Sequence, residues 1–151
     1  MPISIYNSLT RKKEPFTPLN PPQVNMYTCG VTVYDDCHIG HARSLYIFDV
    51  IRRYLKYRGF KVNFVRNITD IDDKIINRSR ELKTDWKDLV QKYIGSYYRD
   101  LESLGIEKGL LGEGNEEPRA TKNIPDMIKH IQGLIAKEYA YVVDGDVYFS
   151  V

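Results

Sequence analysis

The sequence predicts an α/β fold with a parallel sheet, and three consecutive segments support this prediction. Residues 26–34 are rich in β-branched and aromatic side chains, which is typical of a buried strand. Apolar side chains then recur with helical spacing from Leu45 to Leu55, and residues 60–68 again resemble a strand. A strand, a helix and a second strand within about forty residues form a βαβ unit, whose two strands are parallel.

The composition is that of an ordinary globular protein. Of the 151 residues, 42% are hydrophobic and 28% are charged, which excludes disordered, collagen-like and coiled-coil classes. No apolar run approaches the ~20 residues that span a bilayer, and residues 1–14 lack the apolar core of a secretion signal. The two cysteines, Cys29 and Cys37, are too few for a disulfide framework. We therefore expect free thiols, no membrane partner and a cytoplasmic location.

The charge balance excludes a strongly basic nucleic-acid coat protein, because 22 basic residues face 20 acidic ones for a net charge of +2. The stretch 43–66 is nevertheless basic, since Asp49 is its only acid. The seven basic residues of this stretch are Arg43, Arg52, Arg53, Lys56, Arg58, Lys61 and Arg66. Charge alone favours a solvated helix face here, and contact with an anionic partner stays open.

The helix of the βαβ unit has a broad apolar stripe, and Gly59 follows it at the position of a left-handed C-terminal cap. The stripe consists of Leu45, Ile47, Phe48, Val50, Ile51, Tyr54 and Leu55. Thr69 and Asp72 stand in capping-box spacing, so a second helix is expected to begin there. Thr84 can cap a longer helix, which Gly105 would end.

The segment 105–118 is the best candidate for a domain boundary, because it holds four of the ten glycines together with several acids. Beyond it, Asn123 and Pro125 form a good helix start. Residues 141–149 surround Asp144-Gly145 and predict a hairpin with a type I′ turn. The sequence ends within the second strand of that hairpin, so we expect the chain to be part of a longer protein.

Two histidines and a glycine lie at the start of the βαβ helix. His38, Gly40 and His41 follow a predicted strand, and ligands of open parallel sheets bind beyond the carboxyl ends of the strands. A helix N-terminus presents free N–H groups and suits a phosphate, and imidazoles there can stabilise charge on a transferring phosphate. Taken singly, each residue has a structural explanation, in which one histidine caps the helix, the other packs in its first turn and the glycine opens the turn. Their combination favours a nucleotide site.

Possible metal ligands are less decisive. Cys29, Cys37, His38 and His41 make up a Cys₂His₂ set, but their order and spacing do not resemble a zinc finger or ribbon. A closed four-ligand site from these residues is not expected. A single cysteine at the end of a strand can still be one ligand of a site that is completed elsewhere.

Three acids and a late histidine have simpler interpretations. Asp70, Asp72 and Asp73 could hold magnesium as a carboxylate cluster. Acids in the first turn of a helix also complement its dipole, which is the favoured interpretation. His130 lies on the mixed face of the last predicted helix and is expected at the surface.

Several sequence blocks carry a family resemblance. Residues 37–43 contain His-Ile-Gly-His, a signature of class I aminoacyl-tRNA synthetases. The block at 27–35 before it and the block at 66–75 after it are highly specific and look like the cysteinyl-tRNA synthetase family. Residues 5–10 and 117–121 fit in the expected order. The resemblance therefore runs from about residue 5 to the end of the chain.

This resemblance implies the first half of a Rossmann-like parallel-sheet nucleotide-binding fold with the beginning of an inserted connective domain. The catalytic half would span residues 1–118 and the connective insertion would begin at residues 119–151. His38, Gly40 and His41 would bind ATP with Mg²⁺, and the two histidines would stabilise the transition state when the cysteine carboxylate attacks the α-phosphate. The implied partners are the cysteine tRNA, cysteine and ATP.

The resemblance also implies a zinc ion with Cys29 as one ligand, which would bind the thiolate of the substrate cysteine. A thiolate is a good soft ligand for zinc whereas the hydroxyl of serine is not, so no editing site is needed. Gly30 and Thr69 would lie around the bound amino acid. Cys37 would not be a ligand.

The family's remaining zinc ligands, its second ATP-binding motif (Lys-Met-Ser-Lys-Ser) and its anticodon-binding region would follow residue 151. The segment 107–115 is also longer and more glycine-rich than the family pattern. The expected function is an N-terminal fragment of a cysteine–tRNA ligase that alone neither holds zinc tightly nor activates cysteine. The alternatives are a cysteine ligase of the mycothiol pathway with the same adenylate chemistry and a catalytically inert truncated paralogue.

Overall fold

The structure is a computed structural model that describes residues 2–107 and 117–151. It begins with an antiparallel hairpin of two short strands, β1 (Ser4–Asn7) and β2 (Lys12–Pro15). The turn between them includes Arg11, whose φ is 57°. This hairpin was not predicted, because its strands are four residues long and mostly exposed, so no alternating buried face marks them.

The predicted βαβ unit is present. Strands β3 (Gln23–Thr28) and β4 (Lys61–Arg66) pair in parallel, and α1 (Ile39–Tyr57) connects them. The first strand ends earlier than the predicted 26–34, because Thr32 leaves the ladder with β4 and forms an isolated parallel bridge with Thr69 instead. The predicted end of α1 is confirmed, since Gly59 follows it with a φ of 86°.

Further helices and a second hairpin follow the βαβ unit. They are α2 (Asp73–Leu82), α3 (Trp86–Ser103), a 3₁₀ turn (Thr121–Asn123), α4 (Ile124–Ala136), β5 (Ala140–Val143) and β6 (Asp146–Phe149). Strands β5 and β6 pair antiparallel, and positive φ values of 50° at Asp144 and 91° at Gly145 confirm the type I′ turn. None of the helices in the described ranges is long and apolar enough to cross a membrane.

The predicted capping residues of α2 and α3 are wrong by a few positions. Asp72 caps α2 by accepting the Lys74 N–H at 2.9 Å, and Asp85 caps α3 in the same way. Thr69 is not a cap, because its backbone pairs with the segment 31–33. Short-range spacing alone did not reveal that competing pairing.

The hydrophobic core is centred on α3. Helix α3 packs against the segment 31–33 after β3, against Ile68 after β4 and against one residue each of α1 and α2. The buried members of the core are Val31, Val33, Leu45, Ile68, Ile75, Leu89, Val90, Tyr93, Ile94, Tyr97, Leu101 and Ile106. This arrangement places the residues after β3 and β4 on a rigid support.

The predicted apolar stripe of α1 is only partly buried. Leu45 and Leu55 face inward, but Val50 and most other members of the stripe are exposed. The inward face instead includes Asp49 and Arg52, each 4% exposed and joined by an ion pair of 2.6 Å. Charged side chains stay buried when they are paired, so the periodicity of apolar residues alone predicts only part of the face that α1 buries.

The candidate boundary at 105–118 falls largely on residues 108–116, which lie outside the described residues, and so does most of the glycine-rich segment 107–115. Up to that point, Gly105 ends α3 as predicted. On the far side, Pro118 and Arg119 lead into the 3₁₀ turn and α4, which has no fully buried residue. The division at residues 118 and 119 stays a prediction.

Candidate functional site

The carboxyl ends of β3 and β4 meet at an irregular edge. This edge consists of residues 29–32 and 67–69 and is called the site edge below. The regular ladder ends with Thr28 opposite Arg66, and pairing resumes at the bridge between Thr32 and Thr69. Three residues, 29–31, therefore stand opposite only two, 67 and 68, which is the geometry of a bulge. Cys29 and Gly30 lie in this bulge, at the edge where ligands of parallel sheets bind.

Gly30 approaches the opposite segment too closely for any side chain. Its N–H donates to Asn67 Oδ1 at 2.8 Å, and a Cβ atom at this position would lie 1.5 Å from the carbonyl oxygen of Asn67. Asn67 also donates from Nδ2 to Thr69 Oγ1 at 3.3 Å. The structure thus brings together Gly30 and Thr69, the two residues predicted to surround an amino acid. Asn67 was not a predicted site residue, although its place near the end of a predicted strand, two residues before Thr69, could have marked it.

The two predicted catalytic histidines lie at the N-terminus of α1 and stack on each other. The centroids of the His38 and His41 rings are 3.9 Å apart, and the rings are inclined by 24°. His38 is the N-cap residue and accepts the Gly40 N–H on Nδ1 at 3.0 Å. The N–H of His38 in turn donates to Nδ1 of His41 at 3.4 Å, which completes a capping box made of two imidazoles.

These hydrogen bonds determine which ring nitrogen can serve a ligand. A neutral imidazole that accepts on Nδ1 carries its proton on Nε2. Both Nε2–H groups are therefore available as donors at the start of α1. Gly40 permits this arrangement, because a Cβ there would lie 2.7 Å from Cε1 of His38 and displace the ring from its cap. The structural role that the sequence analysis weighed against a nucleotide site is thus compatible with that site.

His41 is held in its neutral form. Its pKa lies below the ordinary value of 6.5, first because burial disfavours the charged ring, and then because His38 and Lys74 add positive charge. On acidification the unfolded chain takes up this proton first. The contribution of His41 to stability is therefore complete above pH 6.5 and is lost as the pH falls from 6.5 through the lowered pKa of the folded state.

An NMR titration of the His41 ring is expected to give a midpoint below 6.5, and His38→Ala is expected to raise this midpoint by removing a neighbouring charge. The exposed His130 on α4 offers a control, since His130→Ala leaves the midpoint unchanged. A native midpoint at or above 6.5 contradicts the neutral assignment.

Cys29 has an accessible thiol but does not make a metal site alone. Its thiol is exposed and contacts only the carbonyl oxygen of Gly30, at 3.5 Å, among the hydrogen bonds of the described residues. Tetrahedral zinc takes four ligands. Within residues 2–107 and 117–151, no group of three or more His, Cys, Asp or Glu side chains is placed to hold a metal ion. The described residues therefore do not form a zinc site.

The other cysteine is chemically distinct. Cys37 is half-buried, and burial together with Asp100 and Asp36 raises the pKa of its thiol to about 11. A thiol with this pKa stays protonated at neutral pH and is a poor nucleophile and a poor metal ligand. That Cys37 is not a ligand stays a prediction.

The acids after Thr69 have structural roles, and His130 is exposed as predicted. Asp70 is 3% exposed and accepts hydrogen bonds from the backbone N–H and the hydroxyl of Thr121, at 2.9 and 2.5 Å. Asp72 caps α2, and Asp73 lies in the first turn of that helix. The helix-start interpretation is confirmed for these two acids, whereas Asp70 connects the site edge to the 3₁₀ turn.

The basic stretch does not form one solvated face. Arg52 and Arg66 are buried, and carboxylates neutralise both. One of these carboxylates lies in the preceding turn of α1, and the others come from distant parts of the chain. Arg52 pairs with Asp49 and Glu107, while Arg66 pairs with Glu117. The interpretation as a solvated face is wrong for these two arginines, because ion pairing permits their burial.

The fold has a counterpart among solved structures. Mycobacterium tuberculosis methionyl-tRNA synthetase in complex with methionyl-adenylate matches with a TM-score of 0.63 over 84% of this chain and 28% of that chain, at 14% sequence identity. At this low identity the likeness establishes the fold alone, which is the Rossmann-like fold of a class I tRNA synthetase. The predicted fold class is therefore confirmed.

Sequence comparison narrows this class to one family. The model of the family described as tRNA synthetases class I (C) catalytic domain matches residues 15–151, and the chain belongs to this family. The cysteine–tRNA ligases of Aquifex aeolicus (strain VF5) and Persephonella marina (strain DSM 14350 / EX-H1) are each 54% identical over all 151 residues. The chain spans 30% of the length of either relative.

Proposed function

We propose that this chain is the N-terminal portion of a cysteine–tRNA ligase, which activates cysteine with ATP and transfers it to the cysteine tRNA. The observation that carries the proposal is the clustering of Cys29, Gly30 and Thr69 at the carboxyl ends of β3 and β4, from the first of which the chain leads into α1. The side chain of Asn67 bridges Gly30 and Thr69, and Cys29 precedes Gly30 in the same bulge. The helix that follows β3 in the chain begins with two imidazole donors.

In the proposed first step, a carboxylate oxygen of cysteine forms a bond to the α-phosphorus of ATP. The bond from that phosphorus to the bridging oxygen breaks, and pyrophosphate leaves. The Nε2–H groups of His38 and His41 donate to phosphate oxygens on which negative charge develops. In the second step a hydroxyl of the terminal ribose of the tRNA attacks the carbonyl carbon of cysteinyl-adenylate, and AMP leaves.

Neutral imidazoles suit this role, because a donor that is aligned before the reaction needs no reorganisation. The capping box aligns both rings through their Nδ1 atoms. The α1 N-terminus adds its dipole and its free N–H groups. Mg²⁺ belongs to the proposal as the companion of ATP, and the structural hydrogen bonds of Asp70 and Asp72 explain these two acids without it.

Zinc belongs to the proposal through Cys29 alone. A bound zinc ion would select a thiolate over a hydroxyl, because zinc prefers the softer ligand. The described residues supply this one cysteine, so the other ligands must come from outside them. We therefore propose that the 151 residues by themselves hold zinc weakly and do not activate cysteine.

The alternatives receive less support. A mycothiol-pathway cysteine ligase shares the adenylate chemistry, but the relatives named above are cysteine–tRNA ligases matched over the whole chain. An inert paralogue has no need for an aligned histidine pair or for an exposed cysteine in a bulge. Both features are present in this chain.

A chimera tests the proposal directly. These 151 residues replace the matching 30% of the Aquifex aeolicus relative, and the unaltered relative serves as the positive control. We expect cysteine-dependent exchange of ATP with labelled pyrophosphate, no exchange with serine, and none from the 151 residues alone. A folded chimera without cysteine-dependent exchange contradicts the proposal.

The two cysteines provide a matched pair of variants in this chimera. Cys29→Ser is expected to lower kcat/KM for cysteine by about 100-fold or more, because it removes a metal-ligating thiolate. Cys37→Ser makes the same replacement of a thiol by a hydroxyl at the other cysteine and is expected to leave kcat/KM within about threefold. Melting temperatures close to that of the chimera show that both variants fold. Equal losses in the two variants contradict the assignment of Cys29.

A further inference from the structure

The side chain of Asn67 connects three residues of the site edge. It lies directly after β4, and its Oδ1 accepts the Gly30 N–H at 2.8 Å and the Tyr27 hydroxyl at 3.0 Å. Its Nδ2 donates to Thr69 Oγ1 at 3.3 Å. One amide therefore touches the end of β3, the bulge and Thr69, which lies beyond the end of β4. Asn67 was not among the predicted site residues.

The backbone around Asn67 is held without its side chain. Thr69 N donates to Val31 O at 3.0 Å, and Val33 N donates to Thr69 O at 3.2 Å. Ile68 is fully buried and pairs through its backbone with the segment 118–120. These contacts remain when the amide of Asn67 is removed, so its side chain acts on the orientation of groups and not on the formation of the edge.

The polarity of the amide determines what the Thr69 hydroxyl can do. A hydroxyl has one proton to donate and can accept at its lone pairs. Because Asn67 Nδ2 donates to Thr69 Oγ1, the hydroxyl proton points elsewhere and is available to an acceptor. Gly30 is in the opposite situation, since its N–H is already used by Asn67 Oδ1 and is not available to donate to a ligand.

We infer that Asn67 is a positioning residue for the amino-acid substrate, which orients the Thr69 hydroxyl as a donor and anchors the Cys29–Gly30 bulge. The inference rests on the proposed function and deepens it. The group it prepares is a donor for a carboxylate or carbonyl oxygen of an α-amino acid. Asn67 does not itself touch the substrate or the reacting atoms.

Two substitutions separate anchoring from orientation. Asn67→Ala removes all three hydrogen bonds. Asn67→Asp keeps an acceptor for Gly30 and Tyr27 but has no N–H, so the Thr69 hydroxyl turns to donate to the new carboxylate. Asn63→Ala is the matched control, because Asn63 is exposed on β4 and its side chain amide lies 3.4 Å from Oδ1 of Asn25, away from the residues that Asn67 contacts.

In the chimera, Asn67→Ala and Asn67→Asp are each expected to raise KM for cysteine about tenfold, which corresponds to one lost hydrogen bond. KM for ATP stays within about threefold, whereas a simple effect of the added negative charge would also raise KM for ATP. In a Thr69→Val background, Asn67→Asp is expected to have no further effect, because no hydroxyl remains to reorient. Asn63→Ala leaves both KM values unchanged.

A second measurement uses the 151-residue chain itself and needs no activity. Hydrogen exchange of the Gly30 amide, followed by NMR, is expected to accelerate in Asn67→Ala and to stay slow in Asn67→Asp. If KM for cysteine is unchanged in both variants of an active chimera, or if Asn67→Asp still raises it in the Thr69→Val background, the inference falls and the proposed function stands. A folded chimera that shows no cysteine-dependent exchange of ATP with pyrophosphate overturns the proposed function and the inference with it.

Discussion

Replacing Glu117 by alanine is expected to lower the free energy of unfolding by about 3–5 kcal/mol, because it leaves a buried guanidinium without its counter-ion. The side chains of Arg66 and Glu117 are 1% and 0% exposed. Nε and Nη2 of Arg66 donate to the same carboxylate oxygen at 2.8 and 2.6 Å. The Tyr97 hydroxyl donates to that oxygen at 3.3 Å. Urea denaturation of the 151-residue chain, followed by circular dichroism, measures the loss.

Two further variants show whether the loss comes from the unpaired charge. Arg66→Met combined with Glu117→Leu replaces the pair by apolar side chains and is expected to be more stable than Glu117→Ala. Glu81→Ala removes an exposed partner of Arg78 and is expected to cost less than about 1 kcal/mol. A loss below about 1 kcal/mol for Glu117→Ala contradicts the prediction.

The importance of this ion pair lies in what it joins. Arg66 is the last residue of β4, and Glu117 precedes Pro118, whose carbonyl oxygen accepts the N–H of Ile68 at 2.8 Å. The pair therefore holds the segment after residue 116 against the site edge. Burial and the neighbouring Glu117 raise the pKa of Tyr97 above its ordinary range, so its hydroxyl stays protonated and keeps donating to Glu117.

Removing the Nε2–H donor of either histidine is expected to lower kcat for adenylate formation by about 10²–10³-fold, the usual cost of losing one preorganised donor to a developing negative charge. His38→Asn keeps an acceptor for the Gly40 N–H, since asparagine is a good N-cap residue. His41→Gln keeps the pattern of a capping box. Pyrophosphate exchange in the chimera measures the rates.

These substitutions separate catalysis from helix capping. Both variants are expected to melt within a few degrees of the chimera, because the caps persist, whereas His38→Ala also costs about 1 kcal/mol of stability. His130→Ala, on the exposed side of α4, controls for the loss of an imidazole as such. A kcat within about threefold of the unsubstituted chimera in both capped variants would refute the role of the histidines.

Elements with local causes were predictable. Gly59 ends α1 and Asp144-Gly145 turns the second hairpin, because the required backbone conformations depend on the residues at those positions. Predictions that depended on distant partners were wrong in detail. Thr69 does not cap α2, since its backbone is engaged by the segment 31–33. Arg52 of α1 is buried beside Asp49, and it also pairs with Glu107, 55 positions further along the chain.

The family, the βαβ unit and the candidate residues Cys29, His38, Gly40 and His41 were determined by the sequence alone, because each depends on a short contiguous run of residue types. Only the tertiary structure decided that the site edge is a bulge and that Asn67 bridges Gly30 and Thr69. The hydrogen bond between Asn67 and Gly30 joins residues 37 positions apart, and the pair of Arg66 with Glu117 joins residues 51 apart. Contacts over such separations leave no periodic pattern in the chain, since they arise only when parallel strands and the segments after them are brought to one edge of a sheet.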